Sequence, residues 1–408
     1  MRRTAIFGIF VLGLIGSHTA LAAEAPLADK YLIEGKLAEG ETKLLEEIVR
    51  NPKDDQMRFG LGALQFVRSV ERLGQSFHRH GLLSNRQNIP FLRLPVPPNP
   101  KPDTITYKAA RKILQDFIDD LAKAEASLAK VNDEKVKLPL RVGMIRMDLT
   151  GAGQAGDKFG TILTRYFGGE QNAPKDPEWQ VVFDRGDVAW LRGYCHLLMA
   201  LAEIALAHDG QELFDCTAHL FFPKVATPHK FLSDPDGDPE VIGGLKAFEI
   251  VDIIAVIHLI RMPVKEAERM KSALTHLEQM LALSKETWKF ILAETDDDHE
   301  WLPNPKQTGV MALPIRKEMI DSWLEFVDEG EALLSGKRLV PFWRGNGERG
   351  INLRRVFTEP RTLDLVLWVQ GTAATPYLEK GTLTRKEVWG QLQRVFGGDL
   401  IGFAVWFN

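Results

Sequence analysis

DRGDVAWLRGYCHLLMALAEIALAH, residues 184–208, is the stretch whose reading decides the fold. From Val188 onward its polar side chains are Arg192, His196 and Glu203, four and then seven positions apart, with Tyr194 counted as apolar. At helical periodicity these fall on one stripe of an otherwise apolar cylinder, so the stretch predicts a central helix. Only ten uncharged residues separate Arg192 from Glu203, about half of the roughly 20 that a bilayer span needs. It reads as a core helix whose stripe is either a thin seam to solvent or one wall of an internal polar site.

At the other end of the chain, Met1-Arg2-Arg3, the apolar run Thr4 to Gly16 and the small residues up to Ala22 form the charged, apolar and cleavage parts of a secretory signal. Cleavage is expected after Ala22, which leaves no transmembrane segment and an exported protein, periplasmic or extracellular. The 408 residues carry a formal charge of -4 and a pI near 6.2. That balance lacks the basic surface nucleic acid requires, so no nucleic-acid partner is expected.

Between these points the pattern is mainly α. Residues 1–22 read as the signal peptide, 23–87 as paired helices and 88–104 as a connector too rich in proline for helix. Residues 105–335 read as a helical core domain, and 336–408 as an aromatic α/β tail packed on it. Helices are expected at Tyr107 to Lys130, Gln211 to Phe222, Leu245 to Leu259, Pro263 to Glu294, with Pro263 in the first turn, and Pro314 to Leu334. A small β element is expected from Lys135 to Asp148 and, in the tail, from Arg338 to Phe342, Asp364 to Val369 and Leu400 to Phe407.

Within residues 23–87, Leu27 and Leu61, Ala28 and Gly62, and Gly40 and Gly74 recur at a spacing of 34, with Tyr31, Gly35 and Pro52 at matching places. This part resembles two tetratricopeptide (TPR) repeats. The early Trp of that family is missing, and Glu47 and Gly81 stand where it has a small alanine. The resemblance implies helical hairpins of the kind that bind a protein or peptide partner.

Three constellations carry chemistry. Around the central helix, Asp184, Asp187, Cys195, His196, His208, Asp215, Cys216 and His219 include groups that Zn²⁺ accepts, and Asp215 with His219 is an i, i+4 pair. The alternative for Cys195 and Cys216 is a disulfide, which export permits. Asp234, Asp236 and Asp238 alternate as Ca²⁺ ligands do; Asp148 to Gly153 looks like half of an EF-hand loop, with Ala152 at a ligand position. In the tail, Trp343, Arg344, Arg349 and Arg354 offer forks and ring faces suited to a ligand, against the alternative of an aromatic core with a basic turn.

No nucleophile elbow, phosphate-cradling loop or dinucleotide fingerprint occurs. The leading expectation is an exported helical binding or scaffold protein of the cell envelope. The alternatives are a metal-assisted hydrolase centred on residues 184–219 and a calcium-stabilised or glycan-binding module.

Overall fold

The computed structural model describes residues 25–83, 95–166, 178–233, 241–242, 245–310, 315–344 and 348–397. The signal segment, Asp234, Asp236, Asp238 and the β run expected from Leu400 to Phe407 lie outside the described residues.

Thirteen α-helices are present among the described residues. The first are α1 (Leu27–Glu34), α2 (Leu37–Arg50), α3 (Asp55–Arg79), α4 (Tyr107–Leu128) and α5 (Phe159–Tyr166). Then come α6 (Arg185–Ala207), α7 (Gln211–Thr217), α8 (Ala247–Leu259), α9 (Ala267–Ala293) and α10 (Lys317–Leu334). The short helices α11 (Leu353–Thr358) and α12 (Leu365–Gln370) and the longer α13 (Lys386–Phe396) follow. Strands are brief and antiparallel: β1 (Leu138–Leu140) pairs β2 (Val181–Phe183), and β3 (Val241–Ile242) pairs β4 (Leu245–Lys246). β5 (Arg261–Met262) pairs β8 (Leu363–Asp364), while β7 (Gly350–Ile351) lies between β6 (Val340–Pro341) and β9 (Leu378–Glu379). The protein is therefore mainly α with a small β element.

α6 is the expected central helix, packed chiefly on α9 and α4. Its start is fixed by a reciprocal cap: Asp184 Oδ1 accepts the Gly186 N–H at 2.8 Å, and Asp187 Oδ2 accepts the Asp184 N–H at 3.0 Å. A cap of this kind contributes about 1 kcal/mol. At the other end Arg111 donates to the carbonyls of Leu206 (2.7 Å) and His208 (3.0 Å), satisfying acceptors that the helix leaves open. Among the described residues α6 alone is long and apolar enough to cross a membrane by length and composition; here it lies between helices.

The polar stripe is an internal seam. Arg192 meets Glu125 of α4 at 2.9 Å, His196 meets His276 of α9 at 2.8 Å, and Glu203 meets Arg269 of α9 at 2.8 Å. Each contact joins α6 to a neighbour, so the three polar positions set the register in which the apolar remainder packs.

The N-terminal part is built of helical hairpins. Gly35 ends α1 at φ +66°, where an L side chain is strained, and allows Lys36 N–H to reach the Tyr31 carbonyl. Asp54 caps α3 by accepting the Met57 N–H at 2.8 Å. With 8, 14 and 25 residues, α1, α2 and α3 are unequal in length, and α3 alone spans both neighbours by packing on α2 and α4. The proline connector docks where described: His78 Nδ1 pairs with the Pro97 carbonyl and Asn99 donates to that of His78.

Two expectations are corrected. The run Asp364 to Val369 is not a strand beyond Asp364; Asp364 accepts the Leu367 N–H at 2.9 Å and starts α12, which Gly371 closes at φ +107°. Pro263 precedes rather than opens α9, because its carbonyl accepts the Asp209 N–H and ties the loop to the end of α6.

The core is continuous around α6. One cluster joins α1–α3, β1 and β2; another joins α9, α10 and α13; Trp190 and Trp301 pack against both. The tail contacts this body: Val388, Leu392 and Phe396 of α13 lie in the cluster with α9 and α10, and Gln391 donates to Ser322 Oγ of α10 at 2.9 Å.

Candidate functional site at the start of the central helix

The N-terminus of α6 brings acids and aromatic rings together. Phe183, Asp184 and Asp187 come from the turn into α6, Glu294 is the residue that ends α9, and Glu300 and Trp301 come from the segment after it. One carboxylate oxygen from each of Asp184, Glu294 and Glu300 lies within 4.8 Å of the other two. Asp184 and Glu300 are buried, at 6 % and 2 % exposure.

Each of the three is oriented by an N–H donor: Asp184 by Gly186, Glu294 by the Gln307 side chain at 3.1 Å, and Glu300 by the Asp298 amide at 2.9 Å. Asp187 is 4 % exposed; its Oδ2 closes the helix cap, and its Oδ1 is buried without a hydrogen-bond partner. Glu294 Oε1 is likewise buried with no N–H donor, and the Glu294 carboxyl hydrogen-bonds the Asp184 side chain. His299, beside Glu300, has φ +65° and is the one non-glycine residue with positive φ among the described residues.

Burial dominates the electrostatics. It raises the carboxyl of Asp187 far above its ordinary value, with the Asp184 charge adding to it. Burial and then the neighbouring Asp184 push Glu294 up to about 9, and burial also raises Glu300. The nearby cation is Lys137, which pairs with Asp296 and, at 3.7 Å, with Asp298.

Phe183 and Trp301 also face an apolar cavity of about 240 Å³. Its other walls include Leu32 of α1, Val67 and Val70 of α3, and Trp190 of α6. Trp179 stacks on Trp301 at 6.3 Å, and Trp190 meets it edge-on at 5.7 Å, so the aromatic wall is held by ring contacts. A second apolar cavity, about 330 Å³, lies near the end of α6 against Phe77, Phe214 and Phe222. Its polar rim is internally occupied: Tyr107 Oη accepts the Gly210 N–H, and Arg111 caps α6 and pairs with Glu266.

The residues singled out in the sequence are dispersed. His196 faces His276 and, at 3.6 Å, Glu125. Asp215 accepts from Gln211, and His219 faces Asp252 of α8 at 3.5 Å with its Nδ1 buried and unpartnered. Cys195 and Cys216 are both free thiols, so the disulfide is not formed. Cys195 is wholly buried and packs with Ile118, Leu121 and Ala124 of α4, where burial pushes its thiol up; Cys216 instead lines a hollow with Asp215 and His229.

The EF-hand-like loop is filled by its own backbone. Asp148 accepts from the Thr150 N–H and hydroxyl and from Gly151 and Gly153 N–H. In the tail, Arg354 pairs with Glu278 at 3.0 Å, Trp343 is 54 % exposed and contacts Phe342, and Arg344 runs past Gly371. Arg349 immediately precedes β7.

Glu294 and Glu300 escaped the sequence reading because they lie more than 100 residues from Asp184 and are brought to it only by packing of α9 on α6. No protein-family model, curated protein or solved structure matches the chain.

Proposed function

We propose that the chain is an exported helical binding protein of the cell envelope, periplasmic or extracellular, that recognises a peptide or protein partner through a bulky apolar side chain. The observation that carries this reading is the apolar cavity of about 240 Å³ between α1, α3 and α6. A void of roughly 150 Å³ already admits benzene, so this one suits an indole or a comparable group. Its walls are apolar side chains, which select by shape and burial rather than by charge. The TPR-like hairpins support a peptide occupant, since Leu32, Val67 and Val70 of the cavity wall come from them.

The test uses the signal-free protein with 1-anilinonaphthalene-8-sulfonate (ANS), a fluorophore that brightens in apolar sites. Exposed Val251, Ile254 and Ile257 on α8 and Val366, Leu367 and Val369 on α12 also attract such a dye. The comparison is therefore with Val67→Phe, which fills the cavity and leaves those helices alone. Wild type is expected to show one saturable site, absent from the variant and displaced by acetyl-Gly-Trp-Gly-amide. Equal dye binding by both proteins contradicts the reading.

A further inference from the structure

We infer that Asp184, Glu294 and Glu300 form a binding site for one hard divalent cation, calcium by the chemistry of the set, which ties the start of α6 to the end of α9. The site is independent of the cavity and of any partner the cavity binds.

The first ground is geometry. Calcium–oxygen distances are about 2.3–2.6 Å, so oxygens on one calcium ion stand up to roughly 5 Å apart. The three carboxylate oxygens lie within 4.8 Å of one another, which places them inside that span. All three donors are carboxylates, the ligands of calcium, magnesium and manganese rather than of soft metals. Calcium tolerates irregular donor arrangements that magnesium does not.

Beside the three carboxylates stands a buried acceptor without a partner. Asp187 is 4 % exposed, its Oδ1 has no hydrogen-bond partner, and its carboxylate lies within the field of Asp184, Glu294 and Glu300. Buried polar oxygens are nearly always satisfied by protein, water or an ion. Oδ1 of Asp187 is such an orphan beside the three carboxylates, and a cation supplies a partner to an acceptor that no N–H donor reaches.

The backbone lets the two helix ends approach: a Cβ at position 186 would stand 2.8 Å from Ile291 and 3.3 Å from Asp184 Oδ1, so glycine allows the last turn of α9 to lie against the cap of α6. Gln307 and the Asp298 amide hold Glu294 and Glu300 from outside, the orienting role that surrounding donors play around metal ligands. The ion would be structural: its ligands come from the cap of α6, the last turn of α9 and the segment that follows.

The experiment takes signal-free, tag-free protein stripped with chelator and titrates CaCl₂, MnCl₂ and MgCl₂ by calorimetry and thermal unfolding. Tb³⁺ luminescence excited through tryptophan adds a local readout, because Trp301 follows Glu300. One equivalent of Ca²⁺ is expected to bind, raise Tm and displace Tb³⁺. Glu294→Gln and Glu300→Gln relieve acid crowding, so both fold in chelator at least as stably as wild type, yet each weakens Ca²⁺ by at least roughly tenfold and loses the Tm rise. Asp215→Asn binds as wild type does. The inference is overturned if none of the three ions raises Tm up to about 10 mM, well above the range of weak calcium modules. It is equally overturned if Glu294→Gln and Glu300→Gln together leave binding unchanged.

Discussion

His196 Nδ1 of α6 and His276 Nδ1 of α9 lie 2.8 Å apart, so one ring donates and the other accepts, and the pair is built for at least one neutral imidazole. Burial first, and then the adjacent His196, hold the His276 pKa below its ordinary value of 6.5, against the pull of Glu125. The unfolded chain therefore takes up a proton as pH falls below about 6.5 while the folded one resists it, and stability drops with acidification. Urea midpoints measured from pH 7.5 down to 5 are expected to fall in wild type and to fall less in His276→Gln. An equal fall in both proteins contradicts this assignment.

Glu71 has the opposite sign. It is 6 % exposed, and burial raises its carboxyl to about 7 although it accepts the Asp148 N–H. Between the unfolded value of 4.5 and about 7 the folded state holds the extra proton, so stability is lost as pH rises through that window. The full loss is on the order of 3 kcal/mol. Glu71→Gln retains an acceptor for Asp148 and should flatten the profile over this range in chemical denaturation.

The seam between α6 and α9 gives a third expectation. Arg269 bonds Glu203, Glu266 and Gln115, and Glu203 is 8 % exposed. Arg269→Ala strands the Glu203 carboxylate and should cost about 2–3 kcal/mol. The double variant Glu203→Gln with Arg269→Met should recover much of that, as a double-mutant cycle will read.

At Gly35 the cost is conformational. A Cβ there would sit 2.6 Å from Ala155 Cβ, on a backbone with φ +66°. Gly35→Ala should lower stability by about 1–2 kcal/mol, visible as a lowered Tm with the helix content of the folded state unchanged.

Much of this fold was legible because local rules sufficed. The 184–208 stretch carries its cap residues, its apolar faces and its polar stripe in sequence order, and they act together in α6. What the stripe touches was not legible, since Glu125, His276 and Arg269 come from two other helices. Asp296, Asp297 and Asp298 follow the expected helix end at Glu294 and lie between Glu294 and Glu300 of the acidic centre, yet nothing in their spacing points to Asp184. The short run Leu365 to Val369 is apolar enough for either strand or helix; Asp364 and Gly371 decide it as caps. The cavity had no signature at all, because its walls come from separated elements, each apolar for ordinary core reasons.

The most direct test of the binding reading is calorimetric titration of acetyl-Gly-Trp-Gly-amide into wild-type protein and into Val67→Phe at several temperatures. Wild type is expected to show one saturable site with a negative heat-capacity change, the mark of apolar burial, and the variant no such site. No saturable binding to wild type, or the same isotherm for both proteins, would contradict it.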